Sequence, residues 1–192
     1  MQGNYKVITL CGSTKFKDDF LREQKRLTLA GNIVISVGLF GHSGDNEVWE
    51  QMDEGTLTKT KAMLDDIHKR KIDMADEIFV INKGGYVGAS TKSEIEYAIA
   101  HHKNVEFMEP FTCQSCGMPL TKIEDIAHTA DDHLDFDYCK YCLDHGKFIN
   151  DVSMVEYIEM CSQFGAQAGM TNDEMRAFCT KLFPTLKRWK TR

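Results

Sequence analysis

Two C-x-x-C knuckles, Cys113–Cys116 and Cys139–Cys142, constrain this chain more than any other feature. Two cysteines with that spacing grip one side of a tetrahedral ion, and two such turns complete a closed four-sulfur shell. The interval between the knuckles is slightly longer than is usual in a ribbon, and a long hairpin absorbs the excess. Gly117, directly after the second cysteine, helps backbone amides turn toward sulfur. The expectation is one structural Zn2+ held by four cysteines, with no organic cofactor. A closed shell has no open position, so such an ion supports folding rather than chemistry. His128, His133 and His145 are alternative donors nearby, although loop histidines are more often simply solvated. Cys11, Cys161 and Cys179 fall on apolar faces and read as buried core thiols.

Seven cysteines in all is an odd number for a disulfide framework and suits a reducing, cytoplasmic compartment. The 192 residues provide one domain or two small ones, and 42% hydrophobic content with 27% charge is that of a folded globular chain. A net charge of −6 argues against tight, non-specific binding to nucleic acid. The basic tail KLFPTLKRWKTR is a local exception and reads as a helix with a solvated cationic face. No apolar run reaches the ~20 residues that span a bilayer, and the opening MQGNYKVITLCGSTKF lacks the pattern of a secretory leader.

The texture changes near Pro110, so two domains are expected, residues 1–110 and 111–192. In the first, KVITLC, NIVISVG, EIFVIN and NVEFMEP read as strands that alternate with helical patterns. Phe16, Phe20 and Leu27 recur at helical spacing in the first helix, which Gly31 is placed to end. Met63, Leu64 and Ile67 mark one face of the second. Strand and helix in alternation predict an α/β fold, a Rossmann-like or flavodoxin-like parallel sheet with helices on both faces. Ligands in such sheets sit beyond the carboxyl ends of the strands. The loops to watch are therefore CGSTK, GLFGHSGDNE and NKGGYVGAST. In the second domain, two helices follow the knuckles. Thr171 and Glu174 have the spacing of a capping box. The stripe Met175, Phe178, Leu182, Phe183, Leu186 and Trp189 predicts core packing, with Pro184 breaking the helix.

CGSTK opens a helix straight after the first strand, where free amides with the Ser13 and Thr14 hydroxyls make an anion site. It is neither a P-loop nor a dinucleotide fingerprint. In the third loop, Gly84, Gly85 and Gly88 keep the backbone open, and Ser90 and Thr91 lead into a helix. Glu94 has two readings there. It is either the last member of a Thr91-x-x-Glu94 capping box or a working carboxylate. Glu96 lies roughly 200° around the helix from Glu94, so the two do not form a close carboxylate pair.

CGS at the end of the first strand, IDMADEIFVIN, and a Gly/Ser loop leading into EIEYA together resemble the nucleoside 2-deoxyribosyltransferase superfamily. The 2′-deoxynucleoside 5′-phosphate N-hydrolase and CMP N-glycosidase branch is the most similar. The resemblance implies an enzyme that hydrolyses the N-glycosidic bond of a (deoxy)nucleoside 5′-monophosphate, with Glu94 attacking the anomeric carbon. An oxocarbenium-like state is one that a carboxylate stabilises or traps. Transfer of deoxyribose to a second base, or a non-catalytic nucleotide sensor, are the alternatives. In the family's position for an aspartate that serves the leaving base, this chain has His68, and Asp65 or Asp66 is a substitute. Gly12, Ser13, Thr14, Lys15, Asp76, Gly88 and Ser90 are the implied substrate-binding positions. His42 and Asp45 in the second loop are contacts for base or sugar, or else turn formers. Lys15 and Phe16 stand where the hydrolases continue with an arginine and paired glycines. The resemblance also implies at least a homodimer. The second half resembles zinc-ribbon modules at bacterial protein termini through its C-G-M-P-L and Y-C-x-Y-C segments.

Overall fold

The computed structural model describes residues 3–45, 48, 50 and 52–190. Asn46 and Glu47 of the second loop, and Thr191 and Arg192 of the basic tail, lie outside the described residues. The chain divides into two compact units, Met1–Glu109 and Pro110–Arg192.

The first unit runs β1 (Val7–Gly12), α1 (Lys17–Leu29), β2 (Ile33–Ile35), α2 (Glu54–Asp73), β3 (Glu77–Ile81), α3 (Ala89–Ala100) and β4 (Asn104–Phe107). All four strands are parallel, in the order β2-β1-β3-β4. The β-branched runs become the buried centre, and β3 is buried at every position. Period-two alternation splits β1 between two faces. Ile8 and Leu10 pack with Phe20 and Leu27 of α1 and with Phe79 and Ile81 of β3. Thr9 and Cys11 turn the other way, onto α2. The Thr9 hydroxyl donates to the Lys71 carbonyl at 2.9 Å, and Cys11 Sγ meets His68. Helices therefore cover both faces. From β1 the chain passes to β2 on one side and returns to β3 on the other, which opens a crevice between the loops that follow β1 and β3.

Gly31 sits at φ +90° just past α1, in the left-handed conformation expected of a helix terminator. The expected apolar face of α2 is rotated. Leu64, His68 and Ile72 follow each other at four-residue steps, with His68 and Ile72 buried, while Met63 and Ile67 remain 52% and 42% exposed. Apolarity alone could not show this, because the inward stripe includes a histidine.

The second unit consists of three short antiparallel hairpins followed by helices. The hairpins pair β5 (Phe111–Thr112) with β6 (Pro119–Leu120), β7 (Ile126–His128) with β8 (Leu134–Cys139), and β9 (Leu143–Asp144) with β10 (Lys147–Phe148). The helices are α4 (Met154–Ser162), α5 (Asn172–Leu182) and α6 (Lys187–Lys190). The Thr171–Glu174 capping box forms in full, and a second one, Ser153–Glu156, opens α4. The helix stops at Leu182, and Pro184 lies in a 3-10 turn. Phe183, Leu186 and Trp189 are core, whereas Phe178 is 48% exposed.

The basic tail is not the solvated face expected of it. Arg188 is buried, with its guanidinium 4.1 to 4.7 Å from the ring centroids of Phe148, Tyr157 and Trp189. It donates to the Ser115 hydroxyl at 2.8 Å and to the Asn150 carbonyl. Lys187 pairs with Asp137 at 2.6 Å.

Candidate functional site

At the carboxyl edge of β1, three side chains from three elements meet. Cys11 Sγ lies 3.5 Å from His68 Nε2, and Glu94 Oε1 lies 3.8 Å from the same nitrogen. Cys11 is the penultimate residue of β1, His68 comes from the inward stripe of α2, and Glu94 from the second turn of α3. The second carboxylate oxygen, Glu94 Oε2, is buried and has no hydrogen-bond partner among the described residues. Burial pushes the Glu94 carboxyl up to about 8, against a hydrogen bond from Cys11 that works the other way. Burial also lowers His68 to about 4, with help from the Lys71 charge, while a backbone hydrogen bond at Leu10 opposes the shift. The Cys11 thiol is raised by desolvation and by Glu94. Burial thus favours the neutral form of all three groups.

The capping-box reading of Glu94 fails. The N-cap of α3 is Gly88, which contributes no side-chain cap, and Thr91 is a buried first-turn residue. The helix begins before the threonine, so Glu94 is held by the body of the helix and not by its cap. Glu96 is half-buried on another face of α3. Asp65 lies close enough to raise the Glu94 pKa, whereas Asp66 is exposed and pairs with Arg70 at 3.6 Å.

The loops after β1 and β3 converge beside this cluster. Gly12 has φ +148°, and a Cβ there would stand 2.9 Å from the Ile81 carbonyl oxygen, so a larger residue would force β1 and β3 apart. Ser13 precedes a 3-10 turn at Thr14–Phe16 and makes no side-chain cap. Lys15 Nζ sits 3.2 Å above the centre of the Tyr86 ring, which pins the first loop to the third. Thr14 Oγ1 and His42 Nδ1 are 2.7 Å apart, which joins the second loop to the first. Gly88 and Ser90 stand at the start of α3, with Ser90 exposed.

Asp45 behaves as a turn former. Its carboxylate accepts from the Phe40 amide at 2.5 Å, the local contact of the turn-forming alternative. Asp76 is not brought to this edge. It lies at the amino end of β3, where its carboxylate accepts from the Val7 amide at 2.8 Å, because parallel strands place their starts and ends at opposite edges of the sheet. A surface depression of about 320 Å³ on the outer side of α1, lined by Leu21, Lys25 and Leu29, contains none of the expected residues. Cys11 was missed as a site residue. Its signal was the alternation with Thr9 and its place immediately before Gly12.

In the second unit, the sulfurs of Cys113, Cys116, Cys139 and Cys142 all lie within 4.8 Å of one another, with Cys116 Sγ and Cys139 Sγ 3.8 Å apart. That clustering fits a single tetrahedral ion. The Cys139 amide donates to Cys113 Sγ at 3.3 Å, and the Tyr157 hydroxyl lies 3.1 Å from Cys142 Sγ. Gly117 takes φ +76°, and its amide returns to the Cys113 carbonyl at 2.9 Å, which closes the first knuckle. His145 is exposed and next to Asp144 and Asp132. Neither it nor His128 or His133 belongs to the sulfur cluster.

Among the described residues, no helix is long and apolar enough to cross a membrane. No curated protein and no solved structure matches the chain. Residues 112–190 match the family described as "Putative zinc ribbon domain", and they contain the whole four-cysteine cluster.

Proposed function

We propose that the first unit hydrolyses the N-glycosidic bond of a (deoxy)nucleoside 5′-monophosphate, with Glu94 as nucleophile. The observation that carries the reading is the Glu94 carboxylate itself. Its Oε2 is buried with no hydrogen-bond partner among the described residues, and the group stands at the sheet edge where the loops after β1 and β3 meet. A strand order of 2-1-3-4 with helices on both faces supports a flavodoxin-like assignment and a ligand at the β1/β3 switch point.

Each neighbouring group has a task in this scheme. Ser13, Thr14 and Lys15 in the first loop, with Gly88 and Ser90 at the start of α3, surround the 5′-phosphate, and the uncapped helix start favours an anion. His42, held by Thr14, faces the sugar or base. Glu94 attacks as the carboxylate, a form that fills as pH rises toward about 8, and His68 Nε2 stands 3.8 Å from it. A histidine lowered to about 4 is mostly unprotonated near neutrality and is also a weak base, so it neither supplies the leaving base's proton nor takes one from Glu94. His68 therefore positions the nucleophile, and Asp65, which acts on Glu94 electrostatically, is the better placed of the two candidate acids. Water then resolves the glycosyl intermediate to sugar phosphate.

The second unit holds one structural Zn2+ through Cys113, Cys116, Cys139 and Cys142, and that ion stabilises its fold. The first-unit reading implies at least a dimer. Leu57, Met63 and Ile67, exposed on α2, fit a face that a second copy covers.

Incubation with a panel of ribo- and deoxyribonucleoside monophosphates, followed by chromatography, tests the activity. Free base from the wild type and none from Glu94→Ala is the expected result, with Glu96→Ala remaining active. Base exchange only when a second nucleobase is added would assign transfer in place of hydrolysis. Binding without turnover in both proteins would replace the enzyme with a nucleotide sensor.

A further inference from the structure

The Cys11–His68–Glu94 cluster combines donor types that catalysis at a glycosidic bond does not require. The glycosidic reaction does not call on Cys11 as nucleophile, acid or base, yet Cys11 Sγ lies nearer His68 Nε2 than Glu94 does. We propose that Cys11, His68 and Glu94 form a three-donor site for Zn2+ in the first unit, separate from the four-cysteine shell. Its occupation would tie up the Glu94 carboxylate and inhibit the enzyme.

One donor atom from each residue lies within 4.8 Å of the others, the same limit that gathers the four ribbon sulfurs. Zinc–sulfur and zinc–nitrogen bonds of about 2.3 and 2.0 Å at a tetrahedral angle place S and N about 3.5 Å apart. The observed Cys11 Sγ to His68 Nε2 separation is 3.5 Å. The His68 to Glu94 distance of 3.8 Å is wider than the ~3.3 Å of an ideal N–O edge. A small rotation of the carboxyl group closes it. Independent support comes from Glu94 Oε2, a buried oxygen with no hydrogen-bond partner among the described residues.

Donor chemistry sets the class of ion. A thiolate with an imidazole selects zinc over magnesium or calcium, which prefer shells of oxygen. Three protein ligands leave a fourth position for water or another ligand, so this site differs in kind from the closed shell of the ribbon. The three donors come from β1, α2 and α3, so binding would also lock two helices to the central strand.

The inhibitory half of the proposal rests on the glycosidase reading, whereas the binding half does not. Equilibrium dialysis of the full chain against micromolar Zn2+ with excess Mg2+, followed by metal counting, tests the binding. Two zinc ions per wild-type chain are expected, and one in His68→Gln, in Cys11→Ser and in the near-isosteric Glu94→Gln, with circular dichroism confirming each fold. One ion in the wild type, or two in all three variants, would overturn the site. If Cys11→Ser fails to fold, the other two variants decide the question.

Base release measured as zinc is raised past the first equivalent should fall several-fold and recover with a mild chelator. A second ion that binds without slowing base release would remove the inhibitory role. If two ions bind but no base is ever released, the metal site stands and the glycosidase reading falls. If base is released but only one ion binds, the reverse holds.

Discussion

Two clusters of metal-competent side chains occupy the two units, and they are built in opposite ways. In the ribbon, each pair of sulfurs is set by a three-bond turn of the chain, and only the meeting of the two knuckles requires tertiary structure. In the first unit, no two of Cys11, His68 and Glu94 are close in sequence. Cys11 and His68 are 57 residues apart and meet only because β1 and α2 pack face to face. A local cluster depends on its ion for stability and carries little information about reactivity. A cluster assembled by a sheet and two helices is held by the surrounding core, so its groups can be kept in unfavourable protonation states. Burial raises Glu94 and lowers His68, and the rest of the unit offsets the cost.

The largest expected effect lies in the ribbon. Structural zinc supplies on the order of 10 kcal/mol of folding free energy in small modules. Cys139→Ser, or removal of metal by a strong chelator, should make residues 110–190 rapidly cleavable by protease and leave the parallel-sheet unit folded. Loss of both units together would contradict a division of labour between the clusters. Next in size, Glu94→Gln should lower turnover by at least ~10³-fold, as expected when an acting nucleophile is removed.

The same substitution sharpens the contrast through pH. The folded Glu94 carboxyl binds its proton more tightly than in the unfolded chain, so its contribution to stability is present at low pH and fades from about 4.5 to about 8. The His68 shift has the opposite sign, with stability lost as pH falls from 6.5 to about 4. The two effects oppose each other between 4.5 and 6.5, and above 6.5 only Glu94 acts. The melting temperature of the wild type should fall from pH 6.5 to 8, and that of Glu94→Gln should stay flatter. Turnover should rise over the same interval as Glu94 ionises. A melting curve with equal slope in both proteins would mean that the carboxylate is ionised in the resting site.

Smaller effects test the ribbon's own core. Arg188→Ala removes a cation enclosed by three aromatic rings together with two hydrogen bonds, and should cost about 2–3 kcal/mol in chemical denaturation of that unit. Thr171→Ala breaks a complete capping box and should cost about 1 kcal/mol.

Much of this molecule was legible from residue spacing. The four parallel strands, the Gly31 helix end, the Thr171–Glu174 cap, the Pro184 break and the cysteine knuckles are all local patterns, and each follows from a few neighbouring residues. The misreadings share a cause as well. Thr91-x-x-Glu94 satisfies the capping pattern, yet α3 starts earlier at Gly88, because the packing of Thr91 and Ile95 fixes the helix in the sheet. The basic tail has the composition of a solvated surface, yet its arginine is the centre of an aromatic cage whose rings come from β10, α4 and α6. Asp76 occupies a family-like position, yet its carboxylate meets the Val7 amide at the far end of the sheet.

The sequence by itself determined the class of fold and the four sulfurs, because period-two and period-3.6 patterns and C-x-x-C turns act within a few residues of each other. Tertiary structure alone decided that Cys11 turns toward α2, that His68 is buried with its pKa lowered, and that Glu94 Oε2 has no hydrogen-bond partner among the described residues. Those properties come from desolvation by groups distant in the chain, and no local pattern of residues encodes them.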